Sequence, residues 1–310
     1  MAEEYRKISV IGAGAVGSSV AFSLIQSNQV DEVALVDVAV EKVAGEVMDL
    51  SDAAAFSGGT KVVGGKDYAL CKDSDIIIIT AGAAQKVGET RLNLVKKNTA
   101  IMTSIVSEII KHNTTALLII VSNPVDILTT VAMTVSGFPS ERVIGTGTFL
   151  DTGRAREAIA SRLGLTTNQV EAYVLGEHGD SQFIPWSLVQ VEENHAGLNN
   201  LTQKEKTEIE NATINKAYEI INRKGATHYG IASAIELLIT HIYEEDDEPL
   251  PVSTYQEADA DNGFHITCSL VCLTRDGVQK SAIPQLEPLE NKKLEKSVAQ
   301  LKDVLKTLDI

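Results

Sequence analysis

The sequence predicts an α/β fold in which a doubly wound parallel sheet is followed by an α+β domain. Short, apolar, β-branched runs alternate with helix-length segments over the first 145 residues. A glycine-rich loop directly follows the first of these runs. Beyond about residue 146 the regular alternation stops, and helical stretches mix with strand-like ones. We therefore expect two domains, residues 1–145 and residues 146–310.

Six apolar runs define the predicted strands of the first domain. They lack the alternation of apolar and polar residues, as is typical of strands that helices cover on both faces. Helix-length stretches such as Val16–Ser27, Val40–Ala54 and Leu92–His112 separate them. Repeated strand–helix–strand units predict a parallel sheet, and six strands in two halves match the Rossmann arrangement. The runs are Lys7–Ile11, Val33–Asp37, Lys61–Val63, Asp75–Thr80, Leu117–Ser122 and Arg142–Ile144.

The second half of the chain predicts helices over Asp151–Leu163, Gln203–Asn222 and Thr227–Thr240. Near the carboxyl terminus, leucine and valine recur every three or four residues and form one apolar helix face, which we expect to pack against the body of the protein. The residues of that face are Leu294, Val298, Leu301, Leu305 and Leu308. The predicted strands are Glu171–Leu175, Ser187–Val191, Val252–Tyr255 and His265–Leu273.

Composition argues against several classes of partner. The formal net charge of −15 repels nucleic-acid backbones and anionic lipid, so we expect neither nucleic-acid nor membrane binding. The longest aliphatic runs are too short to span a bilayer, and the amino terminus lacks the pattern of a secretory signal. The three cysteines, Cys71, Cys268 and Cys272, have no metal-binding spacing, which favours reduced thiols and a cytoplasmic location. We expect no metal site.

The glycine-rich loop has the context of a dinucleotide site. Gly12, Gly14 and Gly17 form a GxGxxG between a predicted strand and a predicted helix, and Asp37 ends the next strand. Gly12 would permit the tight turn, Gly14 the close approach of the pyrophosphate, and Gly17 the packing of the helix. The Asp37 carboxylate can accept hydrogen bonds from ribose hydroxyls and would repel a 2′-phosphate. The sequence thus predicts NAD rather than NADP.

Four further polar segments follow predicted strands or open the second half of the chain. Together and in this order they resemble the lactate/malate dehydrogenase family, and the resemblance covers nearly the whole chain. It implies an NAD-dependent reduction of a small 2-oxo acid. The segments are residues 81–91 (AGAAQKVGETR), residues 122–126 (SNPVD), residues 150–154 (LDTGR) and residues 176–181 (GEHGDS).

The resemblance assigns the catalytic roles. His178 is the acid/base, Asp151 holds its imidazole, Arg154 binds the substrate carboxylate, and Arg91 polarises the ketone from a lid that contains Gly88. Without the resemblance other interpretations stay open. A single histidine is more often structural, Asp151 and Arg154 are spaced as an intrahelical surface pair, and Arg91 could be a solvated loop residue.

Gln85 indicates the substrate. Malate dehydrogenases of the family carry arginine at the matching position, whereas an uncharged glutamine leaves a second carboxylate without a partner. Pyruvate and lactate are therefore expected; a larger branched 2-oxo acid, malate and a non-enzymatic NAD-binding role are the alternatives. Asn123 and Thr227 would line the substrate site. By resemblance the further cofactor contacts are Val16, Lys42, Tyr68, Gly82, Ala83, Ser104, Val121, Asn123, Thr146 and Ile231.

The remaining expectations concern assembly and regulation. Members of the family are usually tetramers, so a homotetramer is expected. Many bacterial members are activated by fructose 1,6-bisphosphate through an arginine and a histidine; Arg156 matches the arginine, but Glu171 replaces the histidine. We therefore expect weak or absent activation. Residues 267–272 (TCSLVC) replace the family's usual Gly-Val-Pro turn, which leaves the geometry of that strand open.

Overall fold

The computed structural model describes residues 5–84, 90–191, 197–256 and 265–308. Its strands are β1 (Lys7–Ile11), β2 (Glu32–Val36), β3 (Lys61–Gly65), β4 (Ile76–Ile79), β5 (Leu117–Ile120), β6 (Val143–Gly145), β7 (Val170–Glu171), β8 (Gln190–Val191), β9 (Leu250–Gln256), β10 (His265–Thr274) and β11 (Gly277–Ala282). Its α-helices are α1 (Ala15–Ser27), α2 (Val40–Ala54), α3 (Arg91–Ile109), α4 (Val125–Ser136), α5 (Phe149–Leu163), α6 (Gly197–Asn200), α7 (Gln203–Lys224), α8 (Tyr229–Glu244) and α9 (Pro288–Lys306).

Nine of these strands form one sheet in the order β3-β2-β1-β4-β5-β6-β9-β10-β11. Strands β1 to β6 are parallel, which confirms the doubly wound α/β fold. Strands β9 to β11 are antiparallel to their neighbours, and the pair Gly145↔Ser253 joins them to β6. The predicted strands Val252–Tyr255 and His265–Leu273 thus extend the first sheet. The predicted strand Glu171–Leu175 is reduced to β7, which pairs with β8 in a separate two-stranded sheet.

Strand β4 shows why the runs of the first half are apolar throughout. Its four isoleucines are all buried, and successive side chains point to opposite faces of the sheet. Ile76 and Ile78 belong to the core on one face, while Ile77 and Ile79 belong to the core on the other. Because helices cover both faces, every side chain of this strand contributes to one of the two cores.

The second half differs in places from the prediction. The segment expected as the strand Ser187–Val191 is a short 3-10 turn, Trp186–Leu188, followed by the two-residue strand β8, because a tight turn after a proline interrupts the extended chain. Residues 267–272 form a continuous part of β10, with a register shift between Cys272 and Leu273. The apolar face of α9 packs as expected: Leu294 joins a core cluster with Phe183, and Leu301 joins one with Ile127 of α4. Among the described helices, none is long and apolar enough to cross a bilayer.

Candidate active site

The three glycines of the dinucleotide loop meet three different constraints. Gly12 has φ +107° and donates its N–H to the carbonyl of Val36 at 2.7 Å, as a tight turn out of β1 requires. A Cβ on Gly17 would lie 1.7 Å from the carbonyl oxygen of Gly12, so α1 passes too close for any side chain. A Cβ on Gly14, the residue before α1, would meet nothing within 4 Å. The loop therefore leaves open space at the helix N-terminus, where a pyrophosphate fits.

Asp37 lies beside this loop, directly after β2. Its Oδ2 accepts the N–H of Ala13 at 2.7 Å, and its Oδ1 accepts the N–H of Ala39 at 2.9 Å. Nearby, burial raises the pKa of the Tyr68 hydroxyl, and the negative charge of Asp37 raises it further. A carboxylate held beside the glycine loop in this way fits the hydroxyls of a ribose.

The other expected cofactor contacts fall into three groups. Val16, Val121 and Ile231 are partly buried and pack against the same core cluster, so they form an apolar wall at this edge. Thr146 lies at the end of β6, where its N–H bonds the carbonyl of Ile120 at 2.9 Å. Lys42 and Ser104 are exposed on α2 and α3, and no hydrogen bond within the described residues ties either side chain to the loop.

Buried hydroxyls join the carboxyl ends of the central strands. Thr80 Oγ1 donates to the carbonyl of Gly12 at 3.2 Å, and Ser122 Oγ donates to the carbonyl of Ala81 at 2.6 Å. The ends of β4 and β5 are therefore fixed to the glycine loop. The sequence analysis missed both residues, although a hydroxyl side chain at the end of an apolar run was a usable signal.

Asn98 of α3 is a third residue that the sequence analysis missed. Its amide is 3% exposed, accepts the N–H of Ala83 at 2.8 Å, and donates to the carbonyls of Ala83 and Asn123 at 3.2 and 2.8 Å. Asn98 thereby holds the expected cofactor segment Gly82–Ala83 against the expected substrate residue Asn123. The peptide bond between Asn123 and Pro124 is cis.

The expected acid/base and its partners converge around one carboxylate. His178 Nδ1 lies 2.6 Å from Asp151 Oδ2, and Arg154 donates to Asp151 Oδ1 at 2.8 Å. The side chains of Asp151 and Arg154 are only 2% and 10% exposed, and that of His178 is 25% exposed. Asp151 and Arg154 do form the pair that their spacing allows. Because this pair is buried and shared with an imidazole, it is not a surface ion pair.

These contacts set the protonation of the imidazole. Burial alone lowers the pKa of His178, but the charge and hydrogen bond of Asp151 outweigh it, so the pKa is raised above its usual value. Burial raises the pKa of Asp151, but His178 and Arg154 outweigh it and hold that pKa below the usual range. The site therefore stabilises an imidazolium next to an ionised carboxylate, the state that can donate a proton.

The loop around His178 is fixed by its backbone. Gly176 has φ +95°, and a Cβ there would lie 2.8 Å from Ser297 Oγ of α9. The N–H of Glu177 donates to Ser297 Oγ at 2.7 Å, and the N–H of His178 donates to Asp126 Oδ2 at 2.9 Å. Ser297 and the role of Asp126 were both missed from the sequence.

Thr227 lies just before α8 and is partly buried. A Cβ on Gly230 would lie 3.3 Å from Leu150 Cδ1, so the start of α8 lies against the first turn of α5, which carries Asp151. The next residue, His228, shares a hydrogen bond of 2.9 Å between its Nδ1 and Ser19 Oγ of α1. The expected wall residue is thus close to both the cofactor helix and the acid/base helix.

Part of the expected site lies outside the described residues. Gln85, Lys86 and Gly88 belong to the segment that the structure does not describe, as does the side chain of Arg91. Helix α3 nevertheless begins at Arg91, and the Thr90 hydroxyl caps it by accepting the N–H of Asn93 at 3.2 Å.

The two residues expected at the regulatory position lie in one cluster. Arg156 Nε donates to the carbonyl of Ala172 at 3.0 Å, and its guanidinium lies 5.6 Å from the centroid of the Tyr173 ring. The Tyr173 hydroxyl donates to Glu171 Oε1 at 3.1 Å. Burial, together with the Glu171 charge, raises the pKa of Tyr173 to about 12. A neutral phenol and a carboxylate thus accompany the arginine.

Taken together, the site presents a dinucleotide loop, an apolar wall, and an imidazole and a guanidinium that share a carboxylate. In the described part of the chain, no three or more metal-ligating side chains cluster. Hydride transfer from a nicotinamide requires no metal ion, and the open backbone at Gly14 and the carboxylate of Asp37 fit that cofactor.

Comparison with known proteins identifies this arrangement. The family described as "lactate/malate dehydrogenase, NAD binding domain" matches residues 6–145. The family described as "lactate/malate dehydrogenase, alpha/beta C-terminal domain" matches residues 148–309.

Individual relatives agree with the family match. An L-lactate dehydrogenase of Clostridium botulinum (strain Loch Maree / Type A3) is 43% identical over 309 residues, which cover 96% of each chain. L-lactate dehydrogenase 1 of Lactobacillus acidophilus is 39% identical over 98% of this chain and 95% of its own. The ligand-bound crystal structure of a minor L-lactate dehydrogenase from Enterococcus mundtii superposes with a TM-score of 0.93 at 37% identity, covering 98% of both chains. The chain belongs to the lactate/malate dehydrogenase family.

Proposed function

We propose that this chain catalyses the reversible, NAD-dependent reduction of pyruvate to (S)-lactate. The observation that carries the proposal is the shared carboxylate of Asp151, which bonds the His178 imidazole on one side and the Arg154 guanidinium on the other. A proton donor and a cation for a substrate carboxylate are held side by side. Relatives named L-lactate dehydrogenase match nearly the whole chain, which supports the same activity.

In this mechanism His178 moves the proton. When bound, NADH supplies a hydride to C2 of the 2-oxo acid. His178 donates the proton on Nε2 to the carbonyl oxygen as negative charge builds there. Asp151 accepts a hydrogen bond from Nδ1–H, which selects the tautomer whose free Nε2 takes the proton back when lactate is oxidised. One hydride and one proton thus convert pyruvate into lactate.

The remaining residues hold the substrate. Arg154 would bind the carboxylate through the guanidinium N–H groups that Asp151 does not use, in a two-point fork. Arg91 would polarise the ketone oxygen once the segment before α3 closes, and closure would expel water. Asn123 would hydrogen-bond near the carbonyl, and Thr227 would contact the substrate methyl group.

Gln85 selects the substrate in this proposal. The uncharged amide of Gln85 cannot form an ion pair with a second carboxylate of the substrate. Burying that carboxylate without a cationic partner is costly. Oxaloacetate is then a poor substrate and pyruvate a good one. A larger branched 2-oxo acid is the second candidate, since Gln85 selects only against a second charge.

The same proposal assigns different roles to the two parts of the chain. Residues 1–145 would bind NAD through the glycine loop, Asp37 and the contacts named above, including Lys42 and Ser104. Residues 146–310 would carry the proton donor and the carboxylate site. The Asp37 carboxylate, held by the N–H groups of Ala13 and Ala39, would repel a 2′-phosphate and so select NAD over NADP.

We further propose a cytoplasmic homotetramer that fructose 1,6-bisphosphate activates weakly or not at all. Cys71, Cys268 and Cys272 are all free thiols, which agrees with a reducing compartment. Arg156 is shared between a backbone carbonyl and the Tyr173 ring beside Glu171, and the glutamate would repel a phosphate. Adding the sugar bisphosphate is expected to leave the KM for pyruvate unchanged.

A spectrophotometric assay tests the proposed function. The purified chain is mixed with NADH and, separately, with pyruvate, oxaloacetate and 2-oxoisocaproate, and the loss of NADH absorbance gives kcat/KM for each. The highest value is expected with pyruvate. A higher value with 2-oxoisocaproate would favour the second candidate, and NADH binding without turnover of any of the three would leave only a non-enzymatic NAD-binding protein. The His178→Asn variant is the control and should lose activity while it still binds NADH.

A further inference from the structure

A second carboxylate touches the His178 loop, and the proton-transfer mechanism above does not use it. Asp126 lies in the first turn of α4 and is 3% exposed. Its Oδ2 accepts the backbone N–H of His178 at 2.9 Å, and its Oδ1 accepts the hydroxyl of Ser253. A buried carboxylate is costly unless donors satisfy it, and here each oxygen has one.

Ser253 gives this contact a rigid anchor. It lies on β9 and pairs with Gly145 of β6, where the parallel and antiparallel parts of the sheet meet. A Cβ on Gly145 would lie 3.1 Å from the Ser253 Cβ, and a Cβ on Gly147 would lie 2.7 Å from the Ser253 N. The backbone on both sides of Ser253 is therefore packed too tightly to shift. Asp126 transmits that fixed position to the backbone of His178.

We propose that Asp126 is a positioning residue for His178, which holds the backbone of the acid/base in register with Asp151 and brings a second carboxyl group close to it. The inference rests on the proposed function, because it requires His178 to be the proton donor. In the sequence, Asp126 is the last residue of SNPVD, two residues after the proline. In the structure it contacts the loop that carries His178, which lies 52 positions later in the chain.

The charges around His178 come from several elements. Asp151 and Arg154 face it from α5, Asp126 from α4, and Glu177 is its neighbour in the loop. Burial raises the pKa of Asp126, while the hydrogen bonds from Ser253 and from the His178 N–H oppose that rise. Burial raises the pKa of the Cys268 thiol of β10 to about 12, and the carboxylates of Asp126 and Asp151 add to that rise, so the thiol stays neutral. Against the effect of burial, Asp151 raises the pKa of His178 most, Asp126 adds to that rise, and Arg154 opposes it.

Three substitutions separate the two parts of this role. In Asp126→Asn, the amide oxygen can still accept the His178 N–H, and the amide N–H can donate to the Ser253 hydroxyl, so only the charge is lost. Asp126→Ala loses both the charge and the hydrogen bonds. Ser253→Ala keeps the charge and the bond to His178 but removes the anchor.

The test follows the imidazole directly and does not depend on turnover. Histidine-labelled protein is titrated by NMR, and the His178 signal is assigned by its absence in His178→Asn. Asp126→Asn should lower the pKa of His178. The basic limb of kcat/KM for pyruvate should move by the same amount. Asp246→Asn, which removes the same charge from the His241–Asp246 pair of 2.7 Å, is the matched control and should leave the His178 titration unchanged.

The positional part has its own measurement. Asp126→Ala should lower kcat/KM about 10–100-fold, since a shift of about 1 Å in a reacting group can cost that much. Ser253→Ala should lower kcat/KM in the same direction by less, and NADH affinity should stay within about two-fold in every variant. If Asp126→Ala fails to fold, the results for Asp126→Asn and Ser253→Ala test the inference.

An unchanged His178 titration in Asp126→Asn, together with unchanged kcat/KM in Ser253→Ala and in any folded Asp126→Ala, would overturn the inference and leave the proposed function intact. Full activity in His178→Asn would overturn the assignment of His178 as the acid/base, whereas a lack of pyruvate turnover in the unmodified protein would overturn the proposed function itself.

Discussion

Asp151 carries two tasks, and both depend on its charge. It holds the His178 imidazole at 2.6 Å and the Arg154 guanidinium at 2.8 Å, and its own side chain is almost fully buried. A buried carboxylate with two cationic partners stays ionised, because each partner favours the charged form. The imidazole can then be protonated although burial opposes it. The proton donor is therefore a property of the cluster and not of the histidine alone.

Replacing this carboxylate by an amide should change both rate and pH dependence. In Asp151→Asn the charge that raises the pKa of His178 is gone, so that pKa should fall. Pyruvate reduction needs imidazolium and declines as the pH rises through the pKa of His178, so its decline should move to lower pH. Lactate oxidation needs neutral imidazole, so its rise should also move to lower pH. We expect kcat/KM for pyruvate to drop roughly 10²–10⁴-fold.

Steady-state rates across pH in both directions provide the measurement. Glu157→Gln is the control, because Glu157 is an exposed carboxylate on the same helix, 3.4 Å from Lys216, and its loss should leave the profiles unchanged. A profile for Asp151→Asn that coincides with that of the unmodified protein would show that the shared carboxylate does not set the acid/base.

A single substitution should shift the substrate preference from pyruvate toward oxaloacetate. Gln85→Arg is expected to raise the ratio of kcat/KM for oxaloacetate to that for pyruvate by about 10²-fold or more, since a guanidinium supplies the partner that a second carboxylate lacks. Lys86→Gln, the neighbouring change of charge, should leave the ratio as it is. The pocket assignment of Gln85 would be refuted by a ratio that moves in Lys86→Gln but not in Gln85→Arg.

Sequence could predict the residues that carry the chemistry but not those that hold them. His178, Asp151 and Arg154 lie in short segments with distinctive residue types, and the structure brings these three together. Asp126 could be noticed only as part of a motif, because its partner Ser253 lies 127 positions away and the contact exists only in the folded chain. The same holds for Ser297, which supports the His178 loop from α9.

At the level of elements, the join between β1 and α1 shows how local geometry prepares a binding site. Gly17 is constrained by the protein itself, since its Cβ would strike a backbone oxygen at 1.7 Å, whereas Gly14 faces open space. The fold itself requires glycine at position 17, whereas only a bound ligand would require it at position 14.

Replacing each of these two glycines by alanine should therefore have different effects. Gly17→Ala is expected to lower the melting temperature and abolish NADH binding, because the backbone must move to make room. Gly14→Ala should leave the melting temperature within a degree or two, yet weaken NADH at least about ten-fold, as a methyl group would occupy the path of the pyrophosphate. Thermal unfolding and fluorescence titration with NADH separate the outcomes.

Gly45→Ala is the matched control, since its Cβ also meets nothing within 4 Å but lies on α2, outside the glycine loop. Equal NADH affinity in Gly14→Ala and Gly45→Ala would contradict the pyrophosphate site.

The predicted elements were most accurate where burial is complete. Strands β4 and β5 are apolar throughout, so pattern alone indicates strands covered on both faces. The antiparallel extension β9–β11 was harder to predict, because its link to the first sheet is the contact of Gly145 with Ser253, which no local pattern encodes. Helix α8 begins at Tyr229, two residues later than expected, since His228 adopts a non-helical backbone before it.

For the whole molecule, charge and exposed apolar surface act in opposite directions. The net charge of −15 keeps copies of the chain apart at low ionic strength. Large apolar side chains nevertheless remain exposed on α1, α2 and α8 and in the turn that follows α2, where α1 packs against both α2 and α8. They include Phe22 at 49%, Met48 at 66%, Phe56 at 94% and Leu237 at 46% exposure. Such a surface is typical of one that another subunit covers.

The proposed homotetramer should therefore depend on this group of helices. Phe56→Asp is expected to shift the sedimentation profile from tetramer to smaller species, because a carboxylate in an apolar contact is left without a partner. Leu289→Asp is the matched control: Leu289 is 74% exposed at the start of α9, and the same charge there should leave the profile unchanged. Raising the salt concentration should favour assembly in the unmodified protein by screening its negative charge. A tetramer that survives Phe56→Asp but dissociates in Leu289→Asp would move the interface from α2 to α9.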